Sequence, residues 1–497
     1  MPGPLLRRFG LTGEVFDRRL VWAVLWIAIA FYVLGYATHY PRVFTNNDEG
    51  RYAGETRAFL DHGSAFVPKT HPLTGEVQRT TAGDYPFGMV ALMAPFVKVF
   101  GWRGAFFPSF ACLLIAMFAT ARWLQEEGRS PFFALVLLGF PALLVAGRLA
   151  MSDAARTAAA ALGLWLFFRG LDGRKGAWLL SGFVAGAALS LRETAVLPFI
   201  TFFAGAMLRR DRGWTALLAG GLAGTTMHLL GNRILFGQAF AVRGFVFYPF
   251  DVTGLGDRLW LYLFGLLVLV PGGLACGLAY RGRRRPEVAT AITFFFLFYL
   301  FQAYGMVESG TLKRLVIALR YFAPLLPLLA FAMAETLPRW LAALAARSRS
   351  PAAFERRAGA LAGLWVAGVA AASLAVHPVL ARWSESQAEI RDAIARTVPP
   401  DAVLVGNGAA ILKFADEYAR KFVVLSRHEL AAGDAETLAA RHPVFFVAFL
   451  DRSDSEFWRA DAVRNAEFVA RLPGEPSVLV DVQPTATDRL RIWRVRR

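Results

Sequence analysis

The sequence predicts a polytopic α-helical membrane protein, with about eleven transmembrane helices followed by a C-terminal soluble α/β domain. Three observations predict it. Of the 497 residues, 56% are hydrophobic and 14% aromatic, too apolar for an ordinary soluble chain. Apolar runs near span length recur between residues 20 and 377, separated by short loops rich in arginine. After residue 380 the pattern changes to short β-type runs alternating with polar, helix-like segments.

A helix needs roughly 20 apolar residues to cross a bilayer. Spans are expected near 20–38, 104–121, 131–148, 154–169, 177–191, 194–208, 214–231, 259–279, 288–304, 315–335 and 360–377. The basic lead Arg7, Arg8, Arg18 and Arg19 resembles that of a signal peptide. It is long and no clean small-residue site follows, so the first run is read as a retained span. The stretch "PFGMVALMAPFVKVFG", 86–101, is left out because it is short and holds Pro86, Pro95 and Lys98. It is expected to lie in the membrane interface, with Met89, Leu92, Met93 and Phe96 against lipid. With the N-terminus inside, this choice makes the arginine clusters cytoplasmic, from Arg122 and Arg129 through Arg281–Arg285 to Arg356 and Arg357. Counting 86–101 as a span would place all of them outside, against the positive-inside rule.

Residues 1–380 therefore form a transmembrane domain with a first outer loop at 39–103, and 381–497 an extracytoplasmic domain. In the latter, "DAVLVGNG", "KFVVLS" and "PVFFVAFL" read as strands, and "PSVLVDV" with "RLRIWRV" as a closing hairpin. "GNG" reads as a turn, being too little for a nucleotide site. The net charge of +17 is first a topology signal. No basic segment is interleaved with exposed aromatics in a soluble module, so nucleic acid is not an expected partner. Cys112 and Cys276 fall inside apolar runs and suggest neither a disulfide framework nor a thiolate metal site.

The expected outer ends of the spans carry a distinct set of ionisable residues. The first outer loop supplies Asp48, Glu49, Glu55 and Asp84; "RLAMSDAAR" supplies Arg148, Asp153 and Arg156. "LSLRETAVLP" puts Arg192 and Glu193 in a hairpin, the loop at 232–258 adds Arg233, Arg243 and Tyr248, and Arg320 and Tyr321 open a later run. Singly, each is explained as readily by snorkelling or a local ion pair. Together, carboxylates and arginines from five outer segments suit an anionic lipid-linked substrate: arginine forks bind phosphate oxygens, and a carboxylate takes a proton from an attacking hydroxyl. Asp48, Tyr52 and Glu55 share a helix face by spacing. An N-cap role would account for Asp48 alone, not for its neighbours. His39, His62 and His71 lack metal-binding spacing. No cofactor is required, though a divalent ion on Asp48 with Glu49 or Asp84 would suit the pattern.

The order of motifs resembles the GT-C superfamily of membrane glycosyltransferases, in particular the branch of protein O-mannosyltransferases and lipid A aminoarabinose transferases. The matching segments are "NNDEGRYAGETRAFLDHG", "GDYPFGMVALMAPFVKVFG", "RLAMSDAARTAAAALGLWLF", "GAALSLRETAVLPFI", "NRILFGQAFAVRGF" and "RYFAPLLPLLAF", in order over residues 35–335. The resemblance implies an inverting transfer of a sugar from a polyprenyl-phosphate carrier to a lipid, glycan or protein acceptor outside a cell membrane. It implies catalytic roles for Asp48, Glu49 and Asp153, with Tyr52, Glu55, Asp84 and Tyr85 in support. Arg192, Arg243, Arg320 and Tyr321 would hold the donor phosphate. Where the family often has Lys-Pro-Pro this chain has "DYPFG", so a phosphate-contacting lysine is missing and Arg192, Arg243 or Arg320 would compensate.

The competing class is a transporter or flippase for an anionic lipid-linked substrate. Against it, no inverted repeat of the span pattern is visible and the acids cluster on one face. A non-catalytic assembly protein is a third reading, but it would not need both Asp48 and Asp153. The topology is open to direct test. Cysteines replacing Asp84, Trp102 and Asp401 should all react with an impermeant thiol reagent added from outside. Labelling of the Asp401 position only from the cytoplasm, or of the first two from opposite sides, would invert the assignment.

Overall fold

The computed structural model describes residues 8–11, 16–45, 47–81, 85–209, 212–240, 250, 252–302, 318–406, 419–431, 433–452, 456–472, 476–485 and 488–495. The first apolar run forms helix α1, Arg18–Thr38, whose start is capped by the Asp17 carboxylate accepting the Leu20 N–H at 3.1 Å. The first loop holds α2, Asn47–His62, then an antiparallel hairpin of β1, Phe66–Thr70, and β2, Val77–Thr81, and then α3, Phe87–Phe100. A 3-10 turn at Gly101–Phe106 leads into α4, Phe107–Glu126. After a turn at Pro131–Ala134 come α5, Leu135–Leu138, and α6, Pro141–Arg148. The remaining helices of the apolar body are α7, Ser152–Leu171; α8, Lys175–Ala188; α9, Leu197–Leu208; and α10, Trp214–Phe236. They continue with α11, Leu255–Leu269; α12, Gly273–Leu278; α13, Arg285–Phe301; α14, Leu326–Arg347; and the long α15, Pro351–Thr397.

Each stretch read as a span is occupied by a helix or helix pair among the described residues. By length and apolarity alone, four helical runs among the described residues could cross a membrane: Arg18–Thr38, Phe87–Glu126, Arg320–Arg347 and Pro351–Thr397. The pair Pro131–Leu138 and Pro141–Arg148, bent by 69°, makes a fifth if it is one span. The Phe87–Glu126 run is not straight. Gly101 has φ 65°, and a Cβ built on Gly104 would lie 2.2 Å from the Phe96 carbonyl oxygen. Eight residues of straight helix would separate those positions by about 12 Å, so the chain turns back between α3 and α4. Alone, α3 is about 21 Å long, short of the hydrocarbon core.

The face that α3 buries differs from the one expected. Met89, Val90, Met93 and Val97 are buried against the protein, whereas Leu92, Val99 and Phe100 are exposed. Buried Met89, Met93 and Val97 stand four apart, so the Leu92 side is the one left exposed.

Helix α7 spans about 30 Å and bridges two polar ends of an apolar body. At one end its N-terminus carries Asp153. At the other, Arg284 reaches Glu127 at 3.2 Å and Asp172 at 2.9 Å, Arg209 pairs with Glu287 at 2.7 Å, and Arg169 with Glu126 at 2.8 Å. Helices α8 and α10 run parallel and in direct contact, with α9 as the connecting helix in sequence. A Cβ on Gly182 would lie 1.9 Å from the Leu217 oxygen, and one on Gly186 would lie 2.2 Å from that of Gly221. Only glycine permits so close a backbone approach.

Helix α15 continues well past its apolar stretch, and Ile390 and Ile394 near its end enter the core of a second unit. That unit is a four-stranded sheet in the order β3-β4-β6-β5: β3, Val403–Val405; β4, Val444–Arg452; β5, Ser477–Thr485; and β6, Asp488–Val495. β3 and β4 are parallel and the other pairs antiparallel. Helices α16, Asp434–Arg441, and α17, Glu456–Ala470, precede and follow β4. "KFVVLS" departs from its strand reading. It makes only two single parallel bridges, Val405 with Leu425 and Thr70 with Phe422, the latter joining it to β1.

Candidate active site

The first loop organises around Tyr85. Asp48 lies within the first turn of α2, not at its cap, one and two turns before Tyr52 and Glu55. All three grip the same residue. The Tyr85 hydroxyl donates to Asp48 Oδ1 at 2.6 Å, its backbone N–H donates to Glu55 Oε1 at 2.7 Å, and its ring stacks on Tyr52 at 4.3 Å between centroids. Burial and the Asp48 carboxylate push the Tyr85 phenol well above its ordinary pKa, so it stays a neutral hydrogen-bond donor. Asp48 keeps 26% of its side chain exposed, while Glu55 and Tyr52 are buried.

Beside this face stands a tyrosine surrounded by cations. The Tyr321 ring has the guanidinium carbons of Arg320, Arg192 and Arg156 at 5.1, 5.6 and 6.0 Å from its centroid, and Tyr299 stacks against it at 5.4 Å. Arg320 also donates to the Tyr321 hydroxyl at 3.1 Å and lies 3.8 Å from Asp48 Oδ2, linking the two halves. Arg156 is fully buried, pairs with Asp153 Oδ1 and donates to the Thr194 hydroxyl at 2.9 Å. Asp153 Oδ2 and the Nε atoms of Arg156 and Arg320 are buried without hydrogen-bond partners. Burial opposes the Arg192 charge, but Tyr321, Tyr52, Asp153 and Asp48 outweigh it and hold its pKa above the ordinary value.

The helix ends converge for identifiable reasons. The α3 start is fixed by the Phe87 N–H donating to Asn232 Oδ1 at 3.2 Å and the Gly88 N–H to the Ser190 carbonyl at 2.7 Å. The second contact brings the hairpin of Arg192 against the segment of Tyr85.

Not every expected residue faces this centre. Glu49 is fully buried and turned to the backbone: Oε2 accepts from the Thr45 N–H at 2.7 Å and hydroxyl at 2.8 Å, and Oε1 from the Ala150 N–H at 2.9 Å. It ties α2 to the segment between α6 and α7. Arg148 turns away to His377 on α15, at 3.3 Å. Arg233 is exposed. Asp84, Arg243 and Tyr248 lie outside the described residues, so the divalent-ion reading rests on Asp48 and Glu49, whose hydrogen bonds point to different partners. Among the described residues, no three histidine, cysteine or acidic side chains gather as a metal site. Arg156 is the cation that sequence reasoning left without a phosphate role. The signal available for it was its place one helical turn beyond Asp153.

Glu49 should therefore matter for stability more than its neighbour does. Glu49→Ala would orphan buried backbone donors and should cost about 3 kcal/mol, read as a lower thermal unfolding midpoint of the purified protein. Asp48→Asn should leave that midpoint nearly unchanged. An unaltered midpoint for Glu49→Ala would contradict this assignment.

Residues 84–230, which include Tyr85, Asp153, Arg156 and Arg192, match the family model of dolichyl-phosphate-mannose-protein mannosyltransferases. No curated protein matches the chain by sequence. Among solved structures, the fold is similar to that of ArnT from Cupriavidus metallidurans bound to undecaprenyl phosphate. The TM-score is 0.59 at 15% identity, over 96% of this chain and 98% of that one. It is also similar to the Archaeoglobus fulgidus oligosaccharyltransferase tethered with an acceptor peptide, with TM-score 0.51 at 12% identity over 87% and 69% of the two chains. The arabinofuranosyltransferase AftD from Mycobacteria gives 0.50 at 14% identity, over 98% of this chain and 40% of the longer AftD chain. Together these likenesses show that the chain has the fold of the GT-C superfamily of membrane glycosyltransferases.

Proposed function

We propose that this chain is an inverting glycosyltransferase that moves a sugar from a polyprenyl-phosphate carrier to an acceptor on the extracytoplasmic side of the membrane. The observation that carries the reading is the ring of Arg156, Arg192 and Arg320 about Tyr321, with Asp48 at its edge. Three guanidiniums against the carboxylates of Asp48 and Asp153 leave one positive charge over, which suits the single negative charge of a phosphodiester donor. The undecaprenyl phosphate bound in the ArnT structure, a carrier without its sugar, supports the choice of carrier. The two polar ends of the apolar body support the orientation. The arginines of the loops at the end away from Asp153 are those the positive-inside rule assigns to the cytoplasm.

In this reaction Asp48 accepts the proton of the acceptor hydroxyl as its oxygen attacks the anomeric carbon. The bond from that carbon to the phosphate oxygen breaks, its electron pair stays on the phosphate, and configuration inverts. The leaving phosphate gains a charge beside fixed guanidiniums that need no reorganisation to receive it. Tyr85 orients the Asp48 carboxylate through its hydroxyl. Asp153 holds Arg156 in place, and Glu49 and Glu55 act as fasteners instead of reacting groups. About eleven spans, a catalytic domain over 1–380 and an extracytoplasmic domain over 381–497 complete this reading.

Mass spectrometry of envelope lipids, glycans and proteins tests it. Cells expressing the chain should carry a sugar-sized mass increment on one acceptor that cells lacking it do not, and Asp48→Asn should reduce that product on the order of a hundredfold. Identical envelopes in all three would overturn the reading, and full product with Asp48→Asn would move the base elsewhere. Arg192→Ala and Arg320→Ala should each weaken undecaprenyl phosphate binding to the purified protein by roughly 2 kcal/mol. Parental affinity in both would assign these arginines to helix packing.

A further inference from the structure

The C-terminal unit touches the first loop at two places, and these two places bracket α2. Before the helix, Arg391 near the end of α15 donates to the Arg42 carbonyl at 3.2 Å. After it, the end of β1 meets the 421–426 segment of the C-terminal unit: the Thr70 N–H donates to the Lys421 carbonyl at 3.3 Å, and the Val423 N–H to the Thr70 carbonyl at 3.2 Å. The hairpin tip is held as well. Leu73 packs on the core that contains Val405, Phe422 and Leu438, and Arg441 donates to its carbonyl at 3.5 Å.

The base of the same hairpin is fastened to the apolar body. The Ala65 N–H donates to the Leu235 carbonyl at 2.8 Å, and Ala65, Val90 and Leu235 form a small buried cluster. The hairpin is thus a strut running from α10 to the C-terminal sheet. Helix α2 lies between that strut and the Arg42 contact, with its buried face held by Glu49, Tyr52 and Glu55. Its own sequence is strongly polar, so its hold on the body is mostly through hydrogen bonds, and the outer contacts bear on both its ends.

We propose that the C-terminal unit is a clamp that positions α2, and with it Asp48, against the arginine ring; Arg391, Val423 and Thr70 are positioning residues. This rests on the transferase reading for its consequence but not for its geometry. Releasing the clamp leaves Arg156, Arg192 and Arg320 where they are, because α7, the α8–α9 hairpin and the segment before α14 carry them. Donor binding should then survive while turnover falls.

The experiment uses full-length protein with Arg391→Ala, Val423→Pro and the pair combined. Proline removes the N–H that reaches Thr70. In the double variant, amide hydrogen exchange over residues 47–62 should quicken by roughly tenfold or more, with residues 107–126 and 152–171 keeping parental protection. Undecaprenyl phosphate affinity should stay within about twofold of the parent while envelope product falls about tenfold, a split that a general loss of folding would not give. Thr70→Cys with Phe422→Cys, positions paired in a single parallel bridge, supplies the rescue. Arg391→Ala alone should quicken exchange over 47–62 by less than the double variant does, and oxidation of this pair in that background should slow it again. Parental exchange there in the double variant would overturn the clamp, as would loss of donor affinity in step with product. The exchange measurement needs no activity, so a failed transferase reading and a failed clamp give different results.

Discussion

Charged groups sunk into the end of an apolar helical body must satisfy one another, because neither lipid nor packed side chains will. Arg156 and Asp153, both fully buried, meet this constraint as a pair, and Thr194 takes a further guanidinium hydrogen. From that pair the rest of the polar end follows. Tyr321 presents its ring to Arg156, Arg192 and Arg320, and Arg320 spans the gap to Asp48. These groups come from four parts of the chain, namely α2, the start of α7, the hairpin before α9 and the segment before α14, and the fold brings all four together.

Such a centre is costly to assemble. Buried nitrogen and oxygen atoms on Arg156, Arg320 and Asp153 lack hydrogen bonds, which adds to that cost. In the proposed reaction the enzyme does little covalent chemistry of its own. It orients a good leaving group and a poor nucleophile, removes one proton and receives one charge.

Much of the body was legible in the sequence because its signal is the simplest one, long apolar runs punctuated by arginine. The face of α2 was legible too, since Asp48, Tyr52 and Glu55 stand at helical spacing and all three meet Tyr85. What the sequence hides is partners that lie far along the chain. Asp48 and Glu49 are adjacent and alike on paper. They part company only because Ala150 offers its N–H to one and Tyr85 its hydroxyl to the other. Helix α3 misled for another reason: it is apolar nearly all round, so periodicity names its apolar residues without saying which of them meet protein. Met93 and Leu92 differ in burial because α2 packs on one side only. "KFVVLS" reads as a strand and is used as a strap, since its neighbour is a hairpin from the first loop.

The central claim is that the arginines about Tyr321 hold the carrier phosphate within reach of Asp48. A structure of the protein with undecaprenyl phosphate bound tests it most directly. The account requires the phosphate oxygens to lie at hydrogen-bonding distance from at least two of Arg156, Arg192 and Arg320, with the prenyl chain leading away into the apolar body. A phosphate seated away from all three, with Tyr321 still enclosed by them, would contradict it.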